Sequence, residues 1–140
     1  MEGYRFVLPR EVEFRDIDAA GHVNNAVYLT YLETARIRYL VEVLGAGFAN
    51  EIALILARIA VDFRSPAQFP EALEVGARVT RLGTTSFDME HEIRGGDGRL
   101  VLEATSVLVA YDYEANAPMP VPQRWRTRLD AYEERSPLVT

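Results

Sequence analysis

The sequence predicts an α+β fold in which one long central helix is wrapped by a single curved antiparallel β-sheet. Three observations lead there. One stretch, Asn25–Leu44, keeps helical periodicity over about five turns at 3.6 residues each. Four later stretches have strand character and follow one another closely enough to pair antiparallel. The helix is apolar around much of its circumference, so it must be buried, and a sheet curved around it is the economical way to bury it.

The elements follow in order. Residues 11–15 alternate, with Val12 and Phe14 set against Glu11, Glu13 and Arg15, and read as a first strand. Residues 16–24 read as a loop containing Gly21. In the helix, Tyr28, Tyr31, Leu32, Ala35, Tyr39, Val43 and Leu44 share a face. Asn24 or Asn25 supplies its N-cap, and Gly45 and Gly47 supply the stop. Residues 53–64 are mostly apolar on both faces, the pattern of a central strand, and Pro66 and Pro70 end it. Residues 73–82 and 86–94 alternate, and His91 falls on the apolar side with Phe87, Met89 and Ile93. Gly95-Gly96-Asp97-Gly98 is a hairpin signal that leads into a long last strand over 99–112. Pro118, Pro120 and Pro122 mark an exit loop, and residues 123–134 read as a terminal helix anchored by Leu129 and Tyr132. There is no internal repeat or linker, and 140 residues suit one domain over 1–140.

Composition excludes several classes of function. Cysteine is absent, which removes disulfide scaffolds, thiolate nucleophiles and Cys-ligated metal sites. His22 and His91 are far apart in sequence and no ligand cluster accompanies them, so no metal or other cofactor is expected. The net charge of −6 argues against a nucleic-acid partner, which would call for a basic balance or patch. No stretch reads as a signal peptide or a membrane span, so the expectation is a cytoplasmic protein without a membrane partner.

The chemistry is concentrated between residues 13 and 28. Asp16, Asp18, His22, Asn24 and Asn25 fall within ten residues, beside the start of the long helix. A helix N-terminus offers free backbone N–H groups and partial positive charge, the right partners for an oxyanion forming on a thioester carbonyl. A neighbouring carboxylate can act there as general base or nucleophile. The same residue types also serve as ordinary loop and helix caps.

The run Asp16-x-Asp18-x-x-Gly21-His22-Val23-Asn24-Asn25, with Tyr28, Tyr31, Glu33 and Arg36 on the helix, resembles the 4-hydroxybenzoyl-CoA thioesterase family. Arg64-Ser65-Pro66-Ala67, Glu71-Ala72-Leu73-Glu74-Val75 and Leu82-Gly83-Thr84-Thr85-Ser86-Phe87 continue the match in the family's order, from about residue 12 to 111. The resemblance implies the hot-dog fold and an acyl-CoA thioesterase acting on an acyl-CoA substrate. It also implies a homodimer or homotetramer with active sites between subunits. Asp18 matches the family's catalytic aspartate, as nucleophile or general base, and Asp16 reads as structural. Asn25 matches the position whose backbone N–H faces the thioester oxygen. His22 either positions substrate or orders the loop. Thr84, Thr85 and Ser86 match a loop that borders the active site, where a hydroxyl would hold the attacking water; a plain polar turn is the alternative. Arg64 and Arg94 are candidates for CoA phosphates or else solvated strand ends. Tyr28 is a candidate for the acyl pocket or the core, and His91 is a packed sheet residue. Glu33 lies on the helix where another hot-dog group keeps its acid, and here reads as surface or interface. An enoyl-CoA hydratase-like enzyme and an acyl-thioester binding protein are the rival readings, and CoA is preferred over an acidic acyl-carrier protein as the carrier.

Overall fold

The computed structural model describes residues 1–134. The helix α1 runs Asn25–Leu44, and the strands are β1 Phe6–Glu11, β2 Leu54–Phe63, β3 Ala72–Leu82, β4 Ser86–Gly95, β5 Leu100–Asp112 and β6 Ala117–Pro118. Two shorter helices, α2 Ala46–Asn50 and α3 Gln123–Glu133, complete the described elements. The strands form one antiparallel sheet in the order β1-β3-β4-β5-β2, with β6 added beside β5. The helix α1 packs over β3 and β1 and meets α3. The predicted α+β arrangement, a curled antiparallel half-barrel around one helix, is the observed one.

Burial explains the helix. Tyr28, Tyr31, Leu32, Ala35, Tyr39, Leu40, Val43 and Leu44 are buried along it. Their sheet partners sit at alternate positions: Leu73, Val75, Ala77 and Val79 on β3, and Phe87, Met89, His91 and Ile93 on β4. Asn24 caps α1 by accepting the Ala26 N–H at 2.9 Å. Gly45 ends it at φ +88°, in the conformation where a Cβ is costly. Gly47 lies inside α2 and plays no part in the stop.

Two readings of the sequence are corrected. The first strand is Phe6–Glu11, ahead of residues 11–15. Beyond it, Phe14–Asp16 is a single 3-10 turn capped reciprocally by Glu13 and Asp16. The alternation of Val12 and Phe14 is not a pleat, because Val12 is buried while Phe14 points to solvent. The second correction concerns β2, which is an edge strand with β5 as its single neighbour among the described residues. Its two apolar faces lie bare at the sheet edge, with Leu56 40% and Phe63 49% exposed.

The terminal helix is held by one buried carboxylate. Glu133 accepts the Tyr39 hydroxyl of α1 and, at 2.9 Å, the Val79 N–H of β3. Trp125 and Leu129 bury beside Phe48, and Arg126 donates to the Gly83 carbonyl. Replacing Glu133 by Ala orphans two buried donors. We expect Glu133→Ala to lose about 2–4 kcal/mol of stability in urea titration, with Glu133→Gln losing less.

Candidate active site at the start of the long helix

The loop from residue 16 to 24 is fixed by two aspartates with different jobs. The Asp16 carboxylate is buried and accepts the Tyr31 hydroxyl at 2.6 Å and the Glu13 N–H at 2.9 Å, while the Asp16 carbonyl accepts the Asn24 N–H at 3.0 Å. The Arg10 guanidinium stands 3.9 Å away and lies over the Tyr31 ring. Burial pushes the Asp16 carboxyl up, but the Tyr31 hydroxyl, the Glu13 amide and Arg10 outweigh it and hold the group below its usual range. Asp16 is therefore structural, as its sequence context implied.

Asp18 is exposed and held in place by polar donors. One carboxylate oxygen accepts the Ala20 N–H at 2.9 Å and the other the Asn24 side-chain amide at 3.3 Å. Its backbone pairs with the same loop, Asp18 N–H to the His22 carbonyl at 3.1 Å and Gly21 N–H to the Asp18 carbonyl at 2.9 Å. Gly21, at φ +88°, makes that tight return possible. Asn24 thus joins the carboxylate to the helix start, since its other side-chain atom caps α1. The next N–H, that of Asn25, has no partner among the described residues.

Beside this helix start lies a cleft of about 220 Å³ lined by His22, Val23, Asn25, Tyr28, Phe63, Arg64, Ser65 and Pro66. Its far wall is tied to α1 by Ala67, whose carbonyl accepts the Val23 N–H at 2.8 Å and whose N–H donates to the Tyr28 oxygen at 3.1 Å. Burial raises the Tyr28 hydroxyl above its ordinary value, against the opposing effect of the Ala67 N–H, so the phenol stays protonated. With its oxygen accepting from Ala67, its own proton is left to donate.

Four of the nine expected residues line this cleft. Asn25, His22, Tyr28 and Arg64 line the cleft, and Asp18 is bound to the loop that forms its rim. Arg64 is occupied at Nε by Glu103 at 2.8 Å. Arg94 lies outside, bonded to Glu92 and to the Gly98 carbonyl in its hairpin. Thr84, Thr85 and Ser86 also lie apart. They follow the far end of β3, whose near end meets the loop through Val12 N–H to the Glu71 carbonyl, and eleven residues of strand span roughly 35 Å. Backbone bonds hold them there, Val121 N–H to the Thr84 carbonyl and Ala110 N–H to that of Thr85. His91 is packed in the sheet, its Nδ1 3.1 Å from the Gly76 carbonyl, and burial with Arg36 nearby lowers it to about 3, so it is neutral. Among the described residues no cluster of His, Cys, Asp or Glu is arranged for a metal ion. No described helix is long and apolar enough to cross a membrane.

Two contributors were not singled out from sequence. Phe63 stands against Tyr28 with ring centroids 5.8 Å apart. Arg99 directs every donor at the wall: Ser65 Oγ at 3.1 Å, the Pro66 carbonyl at 3.1 Å, Glu71 at 2.6 Å and Asp97 at 2.9 Å. Its partners are up to 34 residues away in the chain, and no local pattern announces them.

Comparison with known proteins agrees with this architecture. Residues 12–129 match the model of a family described as the thioesterase-like superfamily. The chain belongs to that superfamily. It is an enzyme of the thioesterase type. A thioesterase from Thermus thermophilus, crystallised with coenzyme A and Zn, is 37% identical, with a TM-score of 0.88 over 96% of this chain and 98% of the other. The PA5185 protein of Pseudomonas aeruginosa is 30% identical, with a TM-score of 0.81 over 92% of each chain. The acyl-CoA thioester hydrolase YbgC of Escherichia coli O157:H7 is 27% identical over 84% of this chain and 90% of its own length. The match is thus to the superfamily and to acyl-CoA hydrolases within it, coarser than the 4-hydroxybenzoyl-CoA branch.

The Asp16 cluster has a pH signature. Its carboxyl is held below the unfolded value near 3.9, so its contribution is complete above that pH and is lost as pH falls through the folded value. Asp16→Ala should cost about 1.5–3 kcal/mol at pH 7 and less as acid unfolding is approached, read by denaturant titration at pH 7 and pH 3.

Proposed function

We propose that the protein hydrolyses an acyl-CoA thioester to the free acid and CoA, with Asp18 as general base or nucleophile and the Asn25 N–H as oxyanion donor. One observation carries the reading: an exposed carboxylate, oriented by Ala20 and Asn24, is tied through Asn24 to a helix start whose next residue, Asn25, lines a cleft and has an N–H unpartnered among the described residues. The names of YbgC and of the long-chain acyl-CoA thioesterase FadM of Escherichia coli K12, 26% identical over 81% of this chain, support the substrate class. As a base, Asp18 takes a proton from water as the water oxygen bonds to the thioester carbon. As a nucleophile, it forms an acyl anhydride that water then cleaves. Either way negative charge grows on the carbonyl oxygen, where the N–H and the helix dipole favour it. The C–S bond breaks as the tetrahedral intermediate collapses, to the acid in the first case and to the anhydride in the second, and the departing thiolate takes its proton from Asp18 or from water. Tyr28 donates its free proton into the same cleft. No acid or base beyond this cluster is required, which sets the hydrolase reading above hydration or simple binding.

The active unit in this reading is a homodimer, joined through the bare edge of β2. A strand whose outer edge is unpaired among the described residues, with Leu56, Ile59, Val61 and Phe63 along it, invites pairing with another strand. Antiparallel pairing of β2 with the β2 of a second copy is self-complementary. It sets the Phe63 end of one copy beside the Leu54 end of the other. Leu54 pairs with Ala110, which bonds Thr85, so Thr84, Thr85 and Ser86 of the second copy approach the cleft.

Two outcomes test the proposal. Across short, long and aromatic acyl-CoAs, wild-type protein should release free CoA from at least one, and Asp18→Asn should lose roughly a hundredfold or more in kcat. Leu56→Glu combined with Phe63→Glu should turn a dimer into a monomer in light scattering and abolish that turnover; a variant that stays dimeric removes β2 as the seam.

A further inference from the structure

The ridge formed by Ser65 and Pro66 separates two clefts. On one side lies the candidate active cleft at the start of α1. On the other lies a larger cleft of about 550 Å³, lined by Ser65, Pro66, Gln68, Phe69, Pro70, Glu71 and Arg99. The first, at about 220 Å³, is smaller than the roughly 300–1,000 Å³ usual for a small-molecule site, whereas the second falls within that range. The second cleft has an unusual wall. Phe69 is 46% exposed, and Phe14, 72% exposed, meets it edge to face with centroids 5.7 Å apart. Two phenyl rings kept in water forgo about 1.5–3 kcal/mol each of burial, which asks for a reason.

Both rings sit on rigid supports. Phe14 belongs to the turn capped reciprocally by Glu13 and Asp16. Phe69 lies in a loop closed by Glu71 N–H to the Gln68 carbonyl at 2.8 Å and clamped through Glu71 by Arg99. A preset aromatic surface binds a flat ring at low entropic cost. It is also near the reacting end: Ala67 is bonded to Val23, and Phe69 lies two residues on, at most about 7 Å along the chain.

We propose that this second cleft holds the adenine ring of the CoA carrier, stacked on Phe69 and flanked by Phe14, while the pantetheine arm crosses the Ser65–Pro66 ridge to the start of α1. The inference rests on the acyl-CoA reading above and names its carrier. The ring pair favours this occupant over a carrier protein, because preset phenyl faces match a flat purine. Glu13 precedes Phe14 in the chain and Glu71 lines the cleft, so the CoA phosphates next to the purine need a cation of their own. Arg99 has no donor left for phosphate. Arg15 does: it engages Glu13 only through Nε, and its side chain is largely exposed.

Steady-state kinetics on two forms of the same acyl thioester, carried by CoA and by N-acetylcysteamine, decide the matter, together with equilibrium binding of adenosine 3′,5′-bisphosphate. Phe69→Ala should raise KM for the CoA ester roughly tenfold with kcat unchanged, leave the N-acetylcysteamine ester untouched and weaken the bisphosphate by a similar factor. Phe69→Tyr should restore all three, and Phe14→Ala should show a smaller form of the same pattern. Equal KM changes for both esters, or none for either, would overturn the adenine site while leaving the thioesterase reading intact. An effect seen only with acyl-carrier-protein esters would overturn it in favour of a protein-docking surface. If wild-type protein hydrolyses neither ester yet binds the bisphosphate in a Phe69-dependent way, the site stands and the hydrolase reading falls.

Discussion

The buried carboxylate of Asp16 fixes where the first strand ends and the long helix begins. A charge taken out of water has to be surrounded by donors, and Tyr31, Glu13 and Arg10 supply them from helix, turn and strand. The loop has one conformation because that demand has one solution. Asp18 inherits its position from it: the Asp16 carbonyl holds Asn24, and Asn24 holds both the helix cap and the Asp18 side chain. The two acids, two residues apart, divide the work of rigidity and exposure.

A second constraint acts from the opposite wall. Arg99 gathers Ser65, Pro66, Glu71 and Asp97 around one guanidinium, which stiffens the segment between β2 and β3. That segment carries Ala67, which is tied to Val23 and Tyr28 at the helix start. The cleft therefore lies between two braced walls, and the aromatic pair of Phe14 and Phe69 bridges them on the outside. Side chains held in this way lose little entropy when a ligand arrives.

The edge strand β2 explains why the site is spread over the chain. It is mostly apolar, and among the described residues no strand pairs with its outer edge, which is the edge the proposed dimer uses. The charged outer face of the sheet is already paired with itself, as in Arg78 with Glu90 and Arg81 with Asp88. In the proposed dimer a second copy on β2 brings residues 84–86, which follow the far end of the roughly 35 Å strand β3, towards the cleft.

Local rules carried the sequence a long way. Helical periodicity placed α1 at its observed bounds with Asn24 or Asn25 as cap, alternation placed β3 and β4, and the hairpin signal at residues 95–98 placed β5, because each of these depends on neighbours within a few residues. The Asp-x-Asp, His and Asn segment stood out by its local density of polar groups, which also suits plain capping, and the family resemblance is what assigned its roles. The first strand was misplaced because Val12 and Phe14 alternate without a pleat, and only the Asp16 cage decides that the backbone turns there. A run apolar on both sides looks the same in a central strand and at an edge awaiting a partner; the order of strands in the sheet settles which. The Arg99 clamp, the Tyr28–Ala67 bond and the pairing of the two clefts join residues far apart in the chain, so tertiary structure alone decides them, since no short-range propensity records which distant groups folding will bring within hydrogen-bond reach.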